Sequence, residues 1–447
     1  MVIQRYSTFL EMLASQKQDS ISLLFEEGGE KKSLTYGELI ERIRSFPVEP
    51  HGCVGIFADG TLASLLAVFA YASKGIQIAL LSPLDDPRVL VRQIQAADVD
   101  FLLGPKPLVE GLQPALSKRS PITSGKMLFF TSGTTSSNKA VILSEKSLCA
   151  AAYNGSYSLP LSEHDTLYAC LPLNHVFGFV CSYLWGFSCG AKVALCRGLK
   201  SFFSDFSYYR PTVASLVPQM ASFLCVHRLY NPELGLILIG AGDCPSNVLN
   251  GLKSAGVRVS FGYGLTETSS GVALSLGDDP YAMSVCTDDR VLLSEDGEIL
   301  LDCPTCLMEG YYRDEESTKA AIVDGLLHTG DLGKFDEKGL LHIIGRKKDV
   351  LVLGDGTKIF LPEYEGRLSS YLGPDKDFAV TLNKKGQVTL CFGKSKLGDN
   401  CANAVLSFNE SCPRSQRIAE TCYFPDPLPR TQTGKIKRWQ LLDMLND

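Results

Sequence analysis

The sequence lacks the features that would place it among several large classes of protein. It has no basic excess: 43 Lys and Arg stand against 49 Asp and Glu, a formal charge of −6 with pI near 5.7. Dedicated nucleic-acid binding needs a concentrated cationic footprint to displace counterions, so this balance argues against a nucleic-acid partner. No apolar run approaches the about 18 residues of a membrane-spanning helix; the longest, Leu62 to Ala72 and Val176 to Phe187, are shorter. No integral membrane segment is expected. The opening residues, Met1 to Leu13, show no basic, apolar, small-residue secretion pattern. The 15 cysteines are odd in number and follow no framework spacing, which predicts reduced thiols and a cytoplasmic chain. Repeats and low-complexity tracts are absent as well.

What remains is a globular composition, with 45% hydrophobic and 21% charged residues over 447 positions, enough for a sizeable core. From Met1 to about Leu103, helical periodicity alternates with short aliphatic runs. Leu34 to Arg44 reads as a helix, Cys53 to Phe57 as a strand and Ala63 to Ala72 as a helix. After a polar interval, Lys106 to Lys126, strands are expected at Met127–Thr131, Thr166–Leu171, Lys192–Leu195, Val213–Val217, Leu236–Ile239 and Val257–Phe261. This is α/β grammar. From about Arg290 to Ile344, short strands broken by Asp-Gly and Lys-Gly turns predict a β-rich subdomain. The balance of charge then reverses: Gly345 to Asp447 holds 16 Lys and Arg against 12 Asp and Glu, a net +4, whereas the preceding 344 residues carry −10. The expected organisation is a large N-terminal α/β domain with layered sheets, residues 1–344, followed by a small mobile α+β lobe, residues 345–447.

Five segments carry chemistry. In Met127 to Lys139 an apolar strand runs into Thr131, Ser132, Gly133, Thr134 and Thr135 and ends at Lys139. Hydroxyls and backbone N–H groups can donate to phosphate oxygens, glycine permits close approach, and lysine adds a point charge. No Gly-Lys-Ser/Thr follows, so this is not a Walker loop. A second cluster, Gly262 to Thr268, stands at a strand end where open α/β sheets bind ligands. There Tyr263 can stack on a base, Thr266 can reach a phosphate and Glu267 can ligate Mg²⁺. Third and fourth, Asp331 in His328-Thr-Gly-Asp331 can accept two vicinal ribose hydroxyls, and Arg346 in Gly345-Arg-Lys-Lys-Asp349 can fix the same sugar or a phosphate. Fifth, Pro429 to Arg438 forms a basic finger around Lys435. Each segment alone is also consistent with a capped turn or a solvated charged loop. Cys303-Pro-Thr-Cys306 has the spacing of half a metal or redox site, but no second Cys/His pair accompanies it, so it reads as two unconnected thiols.

Together and in this order, these segments resemble the adenylate-forming superfamily, which includes AMP-forming acyl-CoA synthetases, luciferases and peptide-synthetase adenylation domains. Gly345 to Glu365 is most similar to the long-chain fatty acyl branch. The resemblance implies an ATP-dependent acid:thiol ligase that activates a carboxylic acid, fatty or aromatic, as acyl-AMP and passes it to coenzyme A. The acceptor left open beside it is the phosphopantetheine of an acyl carrier protein, and a non-catalytic nucleotide- or acyl-binding regulator is a further alternative. Peripheral membrane contact would follow only from a long-chain acid. Carried over by resemblance, Thr131 to Lys139 is the phosphate loop, His175 stands at the acyl-carboxylate site and Gly240, Ala241 and Gly242 form the adenine-side strand end. Tyr263 stacks on adenine, Thr266 contacts the α-phosphate, Glu267 binds Mg²⁺, Asp331 and Arg346 hold ribose, Lys348 is the hinge and Lys435 bridges carboxylate and α-phosphate. Ser136, Asn138 and Ala140 depart from the family's Gly, Pro and Gly. The run His175 to Phe187 offers apolar side chains for a fatty or aromatic tail, and an aromatic-rich segment of this kind is more often ordinary helix core.

Overall fold

The computed structural model describes residues 4–114, 125–131, 139–373, 376–394, 399–430, 436 and 438–446. Ser132, Gly133, Thr134, Thr135 and Lys435 lie outside the described residues. The chain divides into two compact units, residues 1–329 with 334–342, and residues 330–333 with 343–447.

The first unit is built on two sheets. In one, Phe101–Leu103, Cys53–Phe57, Gln77–Leu81 and Lys126–Phe130 run parallel, and Ala140–Ser144 closes antiparallel on the last of them. Cys53–Phe57 and Gln77–Leu81 are buried at every position, as parallel strands covered on both faces require. In the other sheet, Lys192–Leu195, Thr166–Ala169, Val213–Leu216, Leu236–Ile239 and Arg258–Leu265 form the parallel centre. Ser270–Ser275 then turns antiparallel on Arg258–Leu265. The expected strands at 192–195 and 236–239 occur with those bounds. The strand expected to end at Phe261 continues to Leu265 because its outer half finds a partner in Ser270–Ser275.

One expected helix starts later than its periodicity implied. Leu34 belongs to strand Glu30–Thr35, and the helix runs Tyr36–Ser45. Its start is fixed by a capping box: Glu38 N–H donates to Thr35 Oγ1 at 3.2 Å, and Thr35 N–H to Glu38 Oε2 at 2.8 Å. Helix Leu62–Ser73 is buried nearly all round. It supplies Phe69 to an aromatic cluster with Phe9 and Phe179, which joins Phe129 through Phe179. Full burial of each such ring stabilises by about 1.5–3 kcal/mol.

In the second unit, Phe378–Leu382, Val388–Phe392 and Glu420–Tyr423 form a sheet with helices Leu361–Leu372 and Asp399–Glu410 in the same unit. Leu361, Leu368, Val380, Leu390, Phe392 and Phe408 make its core. The hairpin read at Lys384-Lys385-Gly386 joins the first two strands. Among the described residues no helix is long and apolar enough to cross a membrane.

Candidate active site

The stem of the expected phosphate loop is a β-hairpin. Phe130 pairs with Ala140, and Thr131 N–H donates to Lys139 O at 3.0 Å, placing both residues at the base of the loop. The Lys139 ammonium sits 4.5 Å above the ring of Tyr311. Tyr311 in turn pairs through its backbone with Val141 on the hairpin, and its hydroxyl donates to Glu267 Oε1 at 2.7 Å. Met308 N–H donates to the backbone carbonyl of Glu267 at 2.7 Å. The segment Met308–Tyr311 thus holds Glu267 by main chain and side chain, and carries Lys139 on the same aromatic face. Burial first, and the adjacent Glu267 charge second, raise the Tyr311 hydroxyl far above its usual range, so it remains a donor at neutral pH.

Glu267 reaches this place because strand Arg258–Leu265, whose first half pairs with Leu236–Ile239, runs four residues past that neighbour and gives way to a tight turn, Thr266–Thr268. Leu265 N–H donates to Thr268 Oγ1 at 2.9 Å, which closes the turn. The next two residues, Ser269 and Ser270, have φ of 55° and 133°, an unfavourable conformation for side chains that the surrounding hydrogen bonds must impose. Gly264 is required: a Cβ there would lie 1.7 Å from the carbonyl oxygen of Ser270. Thr266 and Glu267 are half-buried, and Tyr263 is buried in the strand. A carboxylate held by a neutral hydroxyl through one oxygen keeps a second oxygen suited to a hard cation, so Glu267 fits Mg²⁺.

Gly240 follows strand Leu236–Ile239, and Ala241 and Gly242 take φ of 69° and 151°. The Phe177 ring occupies the space beside Gly240, 2.8 Å from where a Cβ would stand. Phe177 belongs to the helical run that starts after His175, so the structure brings the expected acyl and adenine segments into contact. His175 itself is solvent-accessible at the helix start, with Phe179 N–H donating to its carbonyl at 2.8 Å. Enough protein surrounds the imidazole that lost hydration lowers its basicity, opposed by Asp85. Nearby Asn174 Oδ1 is buried without a hydrogen-bond partner among the described residues.

The apolar run His175 to Phe187 is mostly not a pocket wall. Phe179, Trp185 and Phe187 are at most 2% exposed, and Phe179 and Phe187 meet Phe9 and Phe69 in tilted and edge-to-face contacts of the aromatic core. A π-helical turn at Val180–Leu184 interrupts the helix and brings Cys181 within 3.4 Å of Ser270 Oγ. In the second unit, Arg346 Nε pairs with Asp331 Oδ1 at 2.9 Å, with Asp331 almost wholly buried. Lys348 lies in a short turn, Lys347–Asp349.

Tyr311 escaped the sequence reading. The signal was weak: a Gly-Tyr-Tyr sequence among short strands, 44 residues beyond Glu267. A cavity of about 440 Å³ lined by Lys253, Arg258 and Tyr281 lies at the start of strand Arg258–Leu265, at the end opposite Glu267, and contains none of the expected site residues.

Residues 123–312 match the model of the family described as AMP-binding enzyme. A 2-succinylbenzoate–CoA ligase from Bacillus cytotoxicus is 30% identical over 347 residues, covering 72% of this chain and 70% of that protein. The chain belongs to the AMP-binding enzyme family. Its relatives are acyl- and aryl-CoA ligases of the adenylate-forming superfamily. The fold agrees with this membership. O-succinylbenzoate coenzyme A synthetase from Bacillus subtilis in complex with AMP superposes with a TM-score of 0.78 at 22% identity, covering 98% of both chains. Its complex with ATP and magnesium ion gives 0.77 at 21% identity, covering 99% of this chain and 100% of that one. The expected leaning toward the long-chain fatty acyl branch is not repeated in these relatives, which are named for an aryl acid.

Proposed function

We propose that this AMP-binding enzyme is an ATP-dependent, AMP-forming ligase that joins an aryl carboxylic acid to coenzyme A, with 2-succinylbenzoate as the first acid to test. The observation that carries the proposal is the 30% identity to a 2-succinylbenzoate–CoA ligase over most of both chains. A free carboxylate resists a thiol because its charge repels the nucleophile and its oxygen leaves poorly. In the first step a substrate carboxylate oxygen attacks the α-phosphorus of ATP, forming acyl-AMP as pyrophosphate leaves. In the second, the coenzyme A thiolate attacks the acyl carbon and AMP leaves.

The chain's contribution is placement and charge. Thr131 and Lys139 would receive phosphate oxygens, Thr266 the α-phosphate, and Tyr263 with Gly240, Ala241 and Gly242 the adenine. Asp331 and Arg346 would hold ribose, His175 the acid carboxylate, and Lys435 the charge shared between carboxylate and α-phosphate. Glu267 would hold Mg²⁺, which would supply neutralisation of phosphate charge there. Tyr311 orients Glu267 and Lys139 toward the same phosphates.

Between Val176 and Ser188 the chain has no Lys, Arg or His, so the second carboxylate of 2-succinylbenzoate would need donors outside that run. The test is mass spectrometry of products from the purified enzyme with ATP, Mg²⁺, coenzyme A and a panel of benzoates, 2-succinylbenzoate and fatty acids. An aryl-CoA with AMP supports the reading. Fatty acyl-CoA alone, or ADP as the nucleotide product, overturns it.

A further inference from the structure

Apart from the reacting groups, three ligand-type side chains converge in the first unit. Asp289, Cys303 and Cys306 are all buried, and a carboxylate oxygen and the two sulfurs lie within 4.8 Å of one another. The sequence reading treated Cys303 and Cys306 as unconnected because it sought a second Cys/His pair. The structure supplies a different partner. Strands Arg290–Leu293 and Glu298–Asp302 pair antiparallel with Arg290 opposite Asp302, so Asp289 and Cys303 leave the same end of the ladder. Each belongs to a tight turn with a ligand type at either end. Asp289 N–H donates to Cys286 O at 3.1 Å in Cys286-Thr-Asp-Asp289, and Cys306 N–H to Cys303 O at 3.2 Å in Cys303-Pro-Thr-Cys306. Two ligand-x-x-ligand turns side by side are the arrangement by which short chain segments enclose a tetrahedral ion.

The distances fit such an ion. Cys306 Sγ stands 3.5 Å from Asp289 Oδ1. A tetrahedral zinc with ordinary Zn–S and Zn–O lengths separates sulfur from oxygen by about 3.5 Å. The other carboxylate oxygen accepts from Asn154 Nδ2 at 2.8 Å, the outer hydrogen bond that orients a ligating carboxylate. Asn154 is itself only 2% exposed. We propose that Asp289, Cys303 and Cys306 form a binding site for a thiophilic divalent cation of the zinc class, with the thiol of Cys286 drawn in as fourth ligand. The Cys286 sulfur stands outside the convergent group, so its recruitment requires a side-chain rotation. Binding displaces a proton from each thiol that ligates, so protons are released to solvent and no electrons move. The role is structural: Ser269 Oγ donates to Cys306 O at 2.8 Å, and Met308 N–H to Glu267 O, so the ion would brace the turn that carries Glu267.

The test uses the full chain, purified under reducing conditions, stripped by chelator and titrated with Co²⁺. The expected result is a sulfur-to-cobalt charge-transfer band saturating at one equivalent, lost on adding Zn²⁺, absent in Cys303→Ser and Cys306→Ser, and requiring about tenfold more metal in Asp289→Asn. No band at one equivalent, or a band unchanged in both serine variants, overturns the site. Should the serine variants not fold, zinc X-ray absorption on the wild-type chain decides. Two or three sulfurs at about 2.3 Å support the site, and a sphere of oxygen and nitrogen alone contradicts it.

Discussion

Tyr311 is where the reading of the site is most exposed to experiment. Its hydroxyl holds Glu267 and its ring carries Lys139, so removing each feature should do different things. Tyr311→Phe keeps the ring and deletes a hydrogen bond to a charged acceptor, a loss of about 1.5–3 kcal/mol. Adenylation kcat should fall about tenfold to a hundredfold with a higher Mg²⁺ requirement, while the KM for ATP stays near wild type. Tyr311→Leu should also raise that KM. Equal effects of the two variants would mean that the residue merely packs. At His175, lost hydration depresses the imidazole below the ordinary histidine value of about 6.5. The shift moves its titration toward lower pH, so any dependence of kcat/KM for the acid on His175 should lie on the acidic limb of the pH profile. His175→Gln should remove that acidic limb. The Tyr311 contact is not legible in sequence because it joins groups 44 residues apart through a side chain that belongs to no anion-binding pattern; of the Asp289 cluster only the Cys303–Cys306 spacing is legible, and its carboxylate partner is not. The position of Glu267 just past a strand end is legible, because a Gly-Tyr-Gly context with hydroxyls on either side marks the turn.

Elements show the same division between local and non-local information. Strands 192–195 and 236–239 were readable because short aliphatic runs are bounded by polar or glycine residues. The start of helix Tyr36–Ser45 was misplaced because Leu34 fits its apolar period, whereas the Thr35–Glu38 capping box decides the boundary. The run His175 to Phe187 invited a reading as a tail pocket, but Phe9, Phe69 and Phe129, all from other segments, take up Phe179 as core. Close backbone approach at the ligand-facing strand ends gives two stability expectations. Gly264→Ala should destabilise by about 3 kcal/mol or more in denaturant unfolding, since neither backbone segment can yield. Gly240→Ala meets a side chain instead, so Phe177→Leu should relieve part of its cost, a coupling of about 0.5–3 kcal/mol in a double-mutant cycle. Strict additivity would show that the two segments do not press on each other. Farther from the site, the fully buried Asp205 accepts from Arg197 Nε at 2.5 Å and Tyr168 Oη at 2.8 Å. Arg197→Ala, which removes the cation beside that carboxylate and leaves it held by Tyr168 Oη and the backbone N–H of residue 197, should cost about 3 kcal/mol in the same measurement.

For the whole molecule, the chain divides into two compact units, and the expected site residues are distributed over both. Thr131, Lys139, Tyr263 and Glu267 belong to the first, and Asp331 and Arg346 to the second. The reversal of charge at Gly345 was legible in composition, and the structure adds that Gly330–Gly333, from the middle of strand Leu326–Phe335, groups with the second unit. Lys348→Pro should impair thioester formation more than pyrophosphate exchange if the chain reorganises there between the two steps; equal loss in both assays would remove Lys348 from a hinge role. The central claim is that the chain makes an acid electrophilic by joining it to AMP. Its most direct test is acid-dependent exchange of labelled pyrophosphate into ATP, run without coenzyme A on the wild type and on Lys435→Ala. Exchange in the wild type that requires an aryl acid, with a loss of about 10²–10³ in the variant while ATP still binds, is the expected result. A folded wild type that binds ATP yet exchanges no pyrophosphate with any acid in the panel would contradict the claim.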